Sequence, residues 1–125
     1  MQENTPYLEA IRYMHNAEET LQKARKIDNQ FTDKKYVKTA SGTAYSGVLY
    51  ALDEYLKNYE GDKFMKPISI EDYQKRLAKI NKKVLSILND VYAALHISGY
   101  YYGVISVKKL NDAFKESYKI IEYIK

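Results

Sequence analysis

The stretch between Lys38 and Asp53 limits most strongly what this chain can fold into, because its fourteen residues include no charge. Its apolar residues recur at the three- and four-residue intervals of a helix: Ala40, Ala44, Tyr45, Val48, Leu49 and Leu52. The opposite face carries small and hydroxylated residues instead of charges: Thr39, Thr43, Ser46, Gly47, Tyr50 and Ala51. A helix without charge on any face is typical of one surrounded by other helices. We therefore predict a central helix inside an all-helical domain.

Three further amphipathic helices are predicted around this one. The first is capped by Thr5 and Pro6 and should run to about Asp28, followed by a short polar connection over 29–32. The third carries one apolar face from Tyr73 to Leu95, and the last begins after Ser106. No stretch predicts a strand. We expect an all-α fold, an antiparallel four-helix bundle that forms one domain over residues 1–125.

Composition excludes several classes of site. The chain has no cysteine, which removes disulfides, thiol catalysis and cysteine-based zinc sites. The paired Glu-x-x-His motifs of bundle di-metal sites are missing, so we expect no metal and no cofactor. No run approaches the roughly 20 apolar residues of a membrane span. We expect a soluble, cytoplasmic protein without a membrane partner.

Charge and tyrosine content bear on the kind of partner. Residues 1–62 hold 8 basic and 10 acidic side chains, whereas residues 63–125 hold 12 basic and 6 acidic ones. The basic second half indicates either a face for an anionic partner such as RNA or the ordinary solvated surface of Lys-rich helices, which we favour. Fourteen residues are tyrosine, a residue enriched at interfaces. We therefore expect a homodimer, with Tyr100, Tyr101 and Tyr102 as candidates for its interface.

Two small groups of polar residues are candidate sites. Arg12 and His15 share one face of the first helix, where they would bind a phosphate or a partner carboxylate, or only face solvent. His96 closes the third helix beside the tyrosine-rich loop predicted over 97–106, and Asn89 lies one heptad earlier on the same face. The alternative interpretation of His96 is a polar helix end that interacts with the last carbonyls.

The order of the elements and the central segment carry a resemblance to a known superfamily. The first helix carries Tyr7-Leu8 near its start, and the central helix contains the run Ala-Ser-Gly-Thr-Ala-Tyr-Ser-Gly-Val-Leu-Tyr-Ala-Leu over residues 40–52. With two more amphipathic helices after it, this layout resembles the HEPN superfamily of small bacterial and archaeal helical bundles, which are commonly dimeric. Within that superfamily the chain is most similar to small bacterial proteins that form a domain of unknown function.

The resemblance implies either a nuclease or a partner protein. Many HEPN proteins are metal-independent ribonucleases whose motif is an Arg, four to six intervening residues and then a His, and others serve as partners of nucleotidyltransferase-like proteins. The nearest match here is Asn89, six residues and His96, which replaces the guanidinium by a neutral amide. We therefore expect a non-enzymatic binding or partner module that self-associates. The alternatives are a HEPN-type RNA endonuclease with a degenerate site around His96, or an RNA-binding module without catalysis.

Overall fold

The computed structural model describes residues 4–125, and their secondary structure is almost entirely helical. The five α-helices are α1 Thr5–Gln22, α2 Lys34–Glu60, α3 Ile70–Ile80, α4 Lys82–Val91 and α5 Val107–Glu122. A π-helix, Tyr92–Tyr101, continues α4 directly, and a 3₁₀ turn, Gly61–Lys63, follows α2. The all-α prediction is confirmed. Within residues 4–125 no helix combines the length and the apolar character that crossing a membrane requires.

A short hairpin replaces the predicted end of the first helix. α1 ends at Gln22, and strands β1 Lys26–Ile27 and β2 Gln30–Phe31 pair antiparallel, which the sequence did not predict. The two residues between the strands, Asp28 and Asn29, have φ values of 51° and 67°. Short Asx side chains tolerate this left-handed region, which a two-residue hairpin turn needs. The hairpin therefore occupies the residues over which the first helix was predicted to continue.

The predicted third helix is divided into α3 and α4 at Asn81. The backbone of Asn81 is extended, with φ −158° and ψ 98°, and its side chain accepts hydrogen bonds from the N–H groups of Lys83 and Val84. Asparagine is among the best N-cap residues, so it ends one helix and starts the next. The prediction of one continuous helix, and with it the count of four, is wrong at this point.

Helix α2 lies at the centre, packed against α1, the π-helix and α5. Five of its six predicted core residues are buried, and Leu49 is half-buried. The three neighbours of α2 within the chain leave one of its uncharged faces at the surface. We call this face the α2 strip; it consists of exposed Thr39 and Ser46 and half-buried Gly42, Thr43 and Tyr50.

Candidate functional site

Four tyrosine rings surround the imidazole of His96. Its ring centroid lies 4.9 Å from Tyr45, 5.2 Å from Tyr92, 6.0 Å from Tyr100 and 5.2 Å from Tyr101. The first three rings are stacked on the imidazole, and Tyr101 meets it edge-on. We call these five residues the tyrosine–histidine cluster. Aromatic pairs of this kind contribute about 0.5–1.5 kcal/mol each beyond the area they bury, so the cluster holds the π-helix on α2.

The π-helix is the reason that these rings meet. Its hydrogen bonds join residues five apart, as in the bond from the Tyr102 N–H to the Ile97 carbonyl at 3.1 Å. In this wider turn the residues four and five positions after His96 both lie next to it, so Tyr100 and Tyr101 touch the same imidazole. The sequence predicted a break over 97–106 instead. π-Helical turns are rare in proteins, and many of those that occur lie at functional sites, so this segment is a candidate functional site.

Glycine permits the close approach of the cluster to α2. A Cβ placed on Gly42 would lie 3.0 Å from Cδ1 of Tyr100, which is tighter than an ordinary van der Waals contact. The Tyr100 ring therefore lies close to the α2 backbone at this point. A larger residue at position 42 would push the ring outward and open the cluster.

An open cleft of about 540 Å³ lies between α1, α2 and the π-helix. It is lined by aromatic and small hydroxylated residues: Tyr13, Thr39, Gly42, Thr43, Tyr45, Ser46, His96 and Tyr100. None of these eight residues carries a formal charge while His96 is neutral. The cleft thus runs into the α2 strip and offers flat rings and hydroxyl groups to a ligand. The lining includes the imidazole of His96 and contains neither a carboxylate nor a guanidinium.

The pKa values of two tyrosines, Tyr45 of the cluster and Tyr50 of the α2 strip, are raised. Burial, and then the neighbouring phenol of Tyr92, raises the pKa of Tyr45 to about 12. The pKa of Tyr50, whose ring lies 5.9 Å from that of Tyr13, is also raised, first by burial and then by Glu54. These hydroxyls are therefore protonated around neutral pH and can donate hydrogen bonds.

The predicted site residues are only partly brought together. Tyr100 and Tyr101 join His96, whereas Tyr102 is 69% exposed beside the turn at Gly103. The Asn89 side chain is bound by α3, since its Oδ1 accepts a hydrogen bond from Nε2 of Gln74 at 2.8 Å. Asn89 therefore interacts with α3 and is not a member of the tyrosine–histidine cluster around His96.

The predicted patch on the first helix stays a surface feature. The Arg12 side chain is 75% exposed and forms an ion pair with Glu9 at 3.4 Å. His15 is exposed on the same helix. Nothing in the described contacts joins these two residues into a pocket, so their role in binding stays a prediction.

Sequence reasoning missed Tyr45 and Tyr92 as members of the site. A signal was present, because Tyr92, His96 and Tyr100 follow one another at intervals of four. For the part of the chain that the structure describes, no group of three or more His, Cys, Asp or Glu side chains is arranged to hold a metal ion.

Comparison with known proteins places the chain in a family. The chain belongs to the family described as domain of unknown function (DUF5618), whose model matches residues 5–125. Its fold is similar to that of a solved protein of unknown function from Dyadobacter fermentans, with 34% sequence identity and a TM-score of 0.86. That similarity covers 99% of this chain and 96% of the other. A comparison with curated proteins gave no match.

Proposed function

We propose that this protein is a non-enzymatic binding module that works as a homodimer, with a second copy docked on the α2 strip. The observation that carries the proposal is an uncharged face left at the surface of the longest helix. Polar residues without charge cost little to desolvate once their hydroxyls find partners, whereas the charged residues of an ordinary surface helix oppose docking.

The shape of the surface supports close docking. Gly42, Thr43 and Ser46 are small, so another helix can approach the α2 backbone there. Tyrosine rings border the strip, with Tyr50 beside Tyr13 on one side and Tyr100 on the other. Tyrosine supplies large contact area at low conformational cost, which is why it is enriched at the centres of interfaces.

Charges at the two ends of the strip favour a second copy over an unrelated partner. Lys35 and Lys38 precede the uncharged stretch, and Asp53 and Glu54 follow it. In a two-fold dimer the same patch is used twice, so two antiparallel α2 helices bring the basic end of each copy to the acidic end of the other. Exposed pairs of this kind contribute about 0–1 kcal/mol, so they set orientation more than affinity.

The proposal includes the finer features that the HEPN resemblance implies. In that plan α3 and α4 together take the place of one helix in an antiparallel four-helix arrangement. The dimer would be cytoplasmic and leave its outer helices free for a protein partner of the nucleotidyltransferase-like type. The π-helix supports this role, because such segments are frequent at functional sites.

Sedimentation tests the dimer directly. At micromolar concentration the protein should have about twice the chain mass of 14.6 kDa. Ser46→Glu should give a monomer, because two like charges would meet near the two-fold axis. Ser86→Glu places the same charge on an exposed position of α4 and should leave the dimer intact. A wild-type monomer, or equal effects of both variants, would contradict the proposal.

A charge exchange tests the antiparallel orientation. Lys35→Glu and Glu54→Lys should each weaken the dimer, because each single change sets like charges opposite one another. The double variant restores opposite charges and should recover most of the lost affinity, with a stronger effect at low salt. Additive losses in the double variant would rule out this orientation.

A further inference from the structure

We infer that the end of the molecule that carries the hairpin binds single-stranded nucleic acid. We call this region the hairpin end; it consists of residues 23–38 and 103–109. The hairpin end borders the basic end of the α2 strip and includes Lys35 and Lys38. The inference concerns binding without any chemical step.

The hairpin end concentrates the positive charge of the chain. It holds eight basic and two acidic side chains, a net of +6, whereas the whole chain has a net charge of +4. All eight basic side chains are exposed: Lys23, Arg25, Lys26, Lys34, Lys35, Lys38, Lys108 and Lys109. The rest of the chain therefore has a net charge of −2. Six of these basic side chains lie in residues 1–62 and two in residues 63–125, so the basic surface draws on both halves of the sequence.

Backbone hydrogen bonds assemble this end from distant segments. The Phe31 N–H donates to the Ile105 carbonyl at 2.8 Å, and the Val107 N–H donates to the Asn29 carbonyl at 3.0 Å. These bonds set the N-termini of α2 and α5 at the same end of the molecule. Both helix dipoles thus add positive partial charge to that of the lysines.

The two acidic residues of the hairpin end, Asp28 and Asp33, are outnumbered by its eight basic ones. Asp33 caps α2 by accepting the Lys35 N–H at 3.0 Å, and Asp112, just outside the region, pairs with Lys108 at 3.1 Å. A polyanion would therefore meet mainly ammonium groups. Each phosphate that they neutralise releases counterions, which supplies the affinity and makes it depend on salt.

Tyr102 distinguishes this surface from a merely basic one. A Cβ on Gly103 would lie 3.1 Å from Cγ of Lys34 and 3.1 Å from Cε of Lys38, so both lysine stems lie against this turn. The neighbouring Tyr102 is 69% exposed. An exposed phenol ring, one residue before a turn that two lysine stems contact, fits a nucleotide whose base would stack on the ring while its phosphate meets the cations. In a duplex the bases are already stacked and paired, so a single strand fits better.

Titration of fluorescently labelled oligouridylate and oligothymidylate, each of about 12 nucleotides, tests the inference. Affinity should fall steeply as salt rises. The double variant Lys34→Gln/Lys38→Gln removes both charges and should reduce the salt slope by about 0.7 for each lost phosphate contact. The exposed α3 pair Lys75→Gln/Lys79→Gln removes the same charge elsewhere and should leave the slope unchanged.

Variants of Tyr102 test the stacking. Tyr102→Ala should weaken binding roughly tenfold, whereas Tyr102→Phe keeps the ring and should bind as the wild type does. Polyglutamate and vesicles with anionic lipid serve as competitors of similar charge. The inference is overturned if either competitor or a duplex binds as tightly as the single strand, if Tyr102→Ala has no effect, or if no binding occurs at low salt.

Discussion

Gly99 of the π-helix lies directly against Ser41 of α2, and the contact leaves no room for another side-chain atom. A Cβ on Gly99 would lie 2.6 Å from Cβ of Ser41. Ser41 is fully buried, and its Oγ finds no hydrogen-bond partner among residues 4–125. This one contact sets the separation of the two elements that hold the tyrosine–histidine cluster.

Gly99→Ala should lower the free energy of unfolding by about 1–3 kcal/mol, because the added methyl group overpacks the contact. In an open helix the same change would instead stabilise by up to about 1 kcal/mol. Ser41→Ala is the matched variant, and it should be neutral or stabilising because it removes an unpaired hydroxyl. Denaturant titration measures both variants. A more stable Gly99→Ala protein would show that the two elements are further apart.

Gly47→Ala should also destabilise, for a related reason on the other side of α2. A Cβ on Gly47 would lie 2.6 Å from Cβ of Tyr13, so α1 would have to move away. We expect a loss of about 1–3 kcal/mol in the free energy of unfolding. Ser46→Ala, one residue earlier and exposed, should change stability by less than about 0.5 kcal/mol. Equal stability of Gly47→Ala and the wild type would contradict the close crossing of α1 and α2.

The central helix could be predicted from the sequence because its signal is long and uniform. Fourteen uncharged residues with helical spacing leave few alternatives, and Val48 and Leu52 are fully buried as expected. Which face stays at the surface could not be predicted. Small hydroxylated residues fit equally well beneath another helix or at an uncharged interface, so only the positions of the neighbours decide.

The candidate site was harder to predict, because the features that form it leave only weak patterns in the local sequence. The break at Asn81 comes from a cap that competes with continuation of the helix, and either choice fits the apolar pattern. The π-helix inserts a wider turn, which changes the spacing at which side chains meet. The tyrosines near His96 therefore resembled a loop, although the interval from Tyr92 through His96 to Tyr100 was regular.

Stability should fall as the pH rises above about 10, because of buried tyrosines. Burial raises the pKa of Tyr45 from 10.0 to about 12, and burial with a hydrogen bond to Asp53 raises that of Tyr73 further. Between these values the unfolded chain loses protons that the folded protein keeps, so each such tyrosine lowers stability by up to about 1.4 kcal/mol per pH unit. Below pH 10 this contribution is fully present.

Denaturant titrations at about pH 9, 10 and 11 measure this loss. Tyr45→Phe should show a shallower decline than the wild type, because one of the contributing phenols is gone. Lysine deprotonation affects both proteins alike and therefore cancels in the comparison. Parallel curves for the two proteins would show that the Tyr45 hydroxyl is in water.

The protein should not cleave RNA above the level of a His96→Ala control. Phosphodiester cleavage builds negative charge on the phosphate oxygens, and losing one preorganised donor costs on the order of 10²–10³ in rate. His96 is stacked among tyrosine rings, and the side chain of Asn89 is hydrogen-bonded to Gln74 of α3. The residue at the position of the motif's Arg is therefore a neutral amide that is already hydrogen-bonded to another helix. The assay uses the oligouridylate of the binding titration, with and without chelator. Cleavage that persists with chelator, and is lost both in His96→Ala and in a variant lacking one cation such as Arg12 or Lys109, would establish the nuclease instead. Activity that survives His96→Ala would indicate a contaminating enzyme, because no reaction centred on this imidazole can proceed without it.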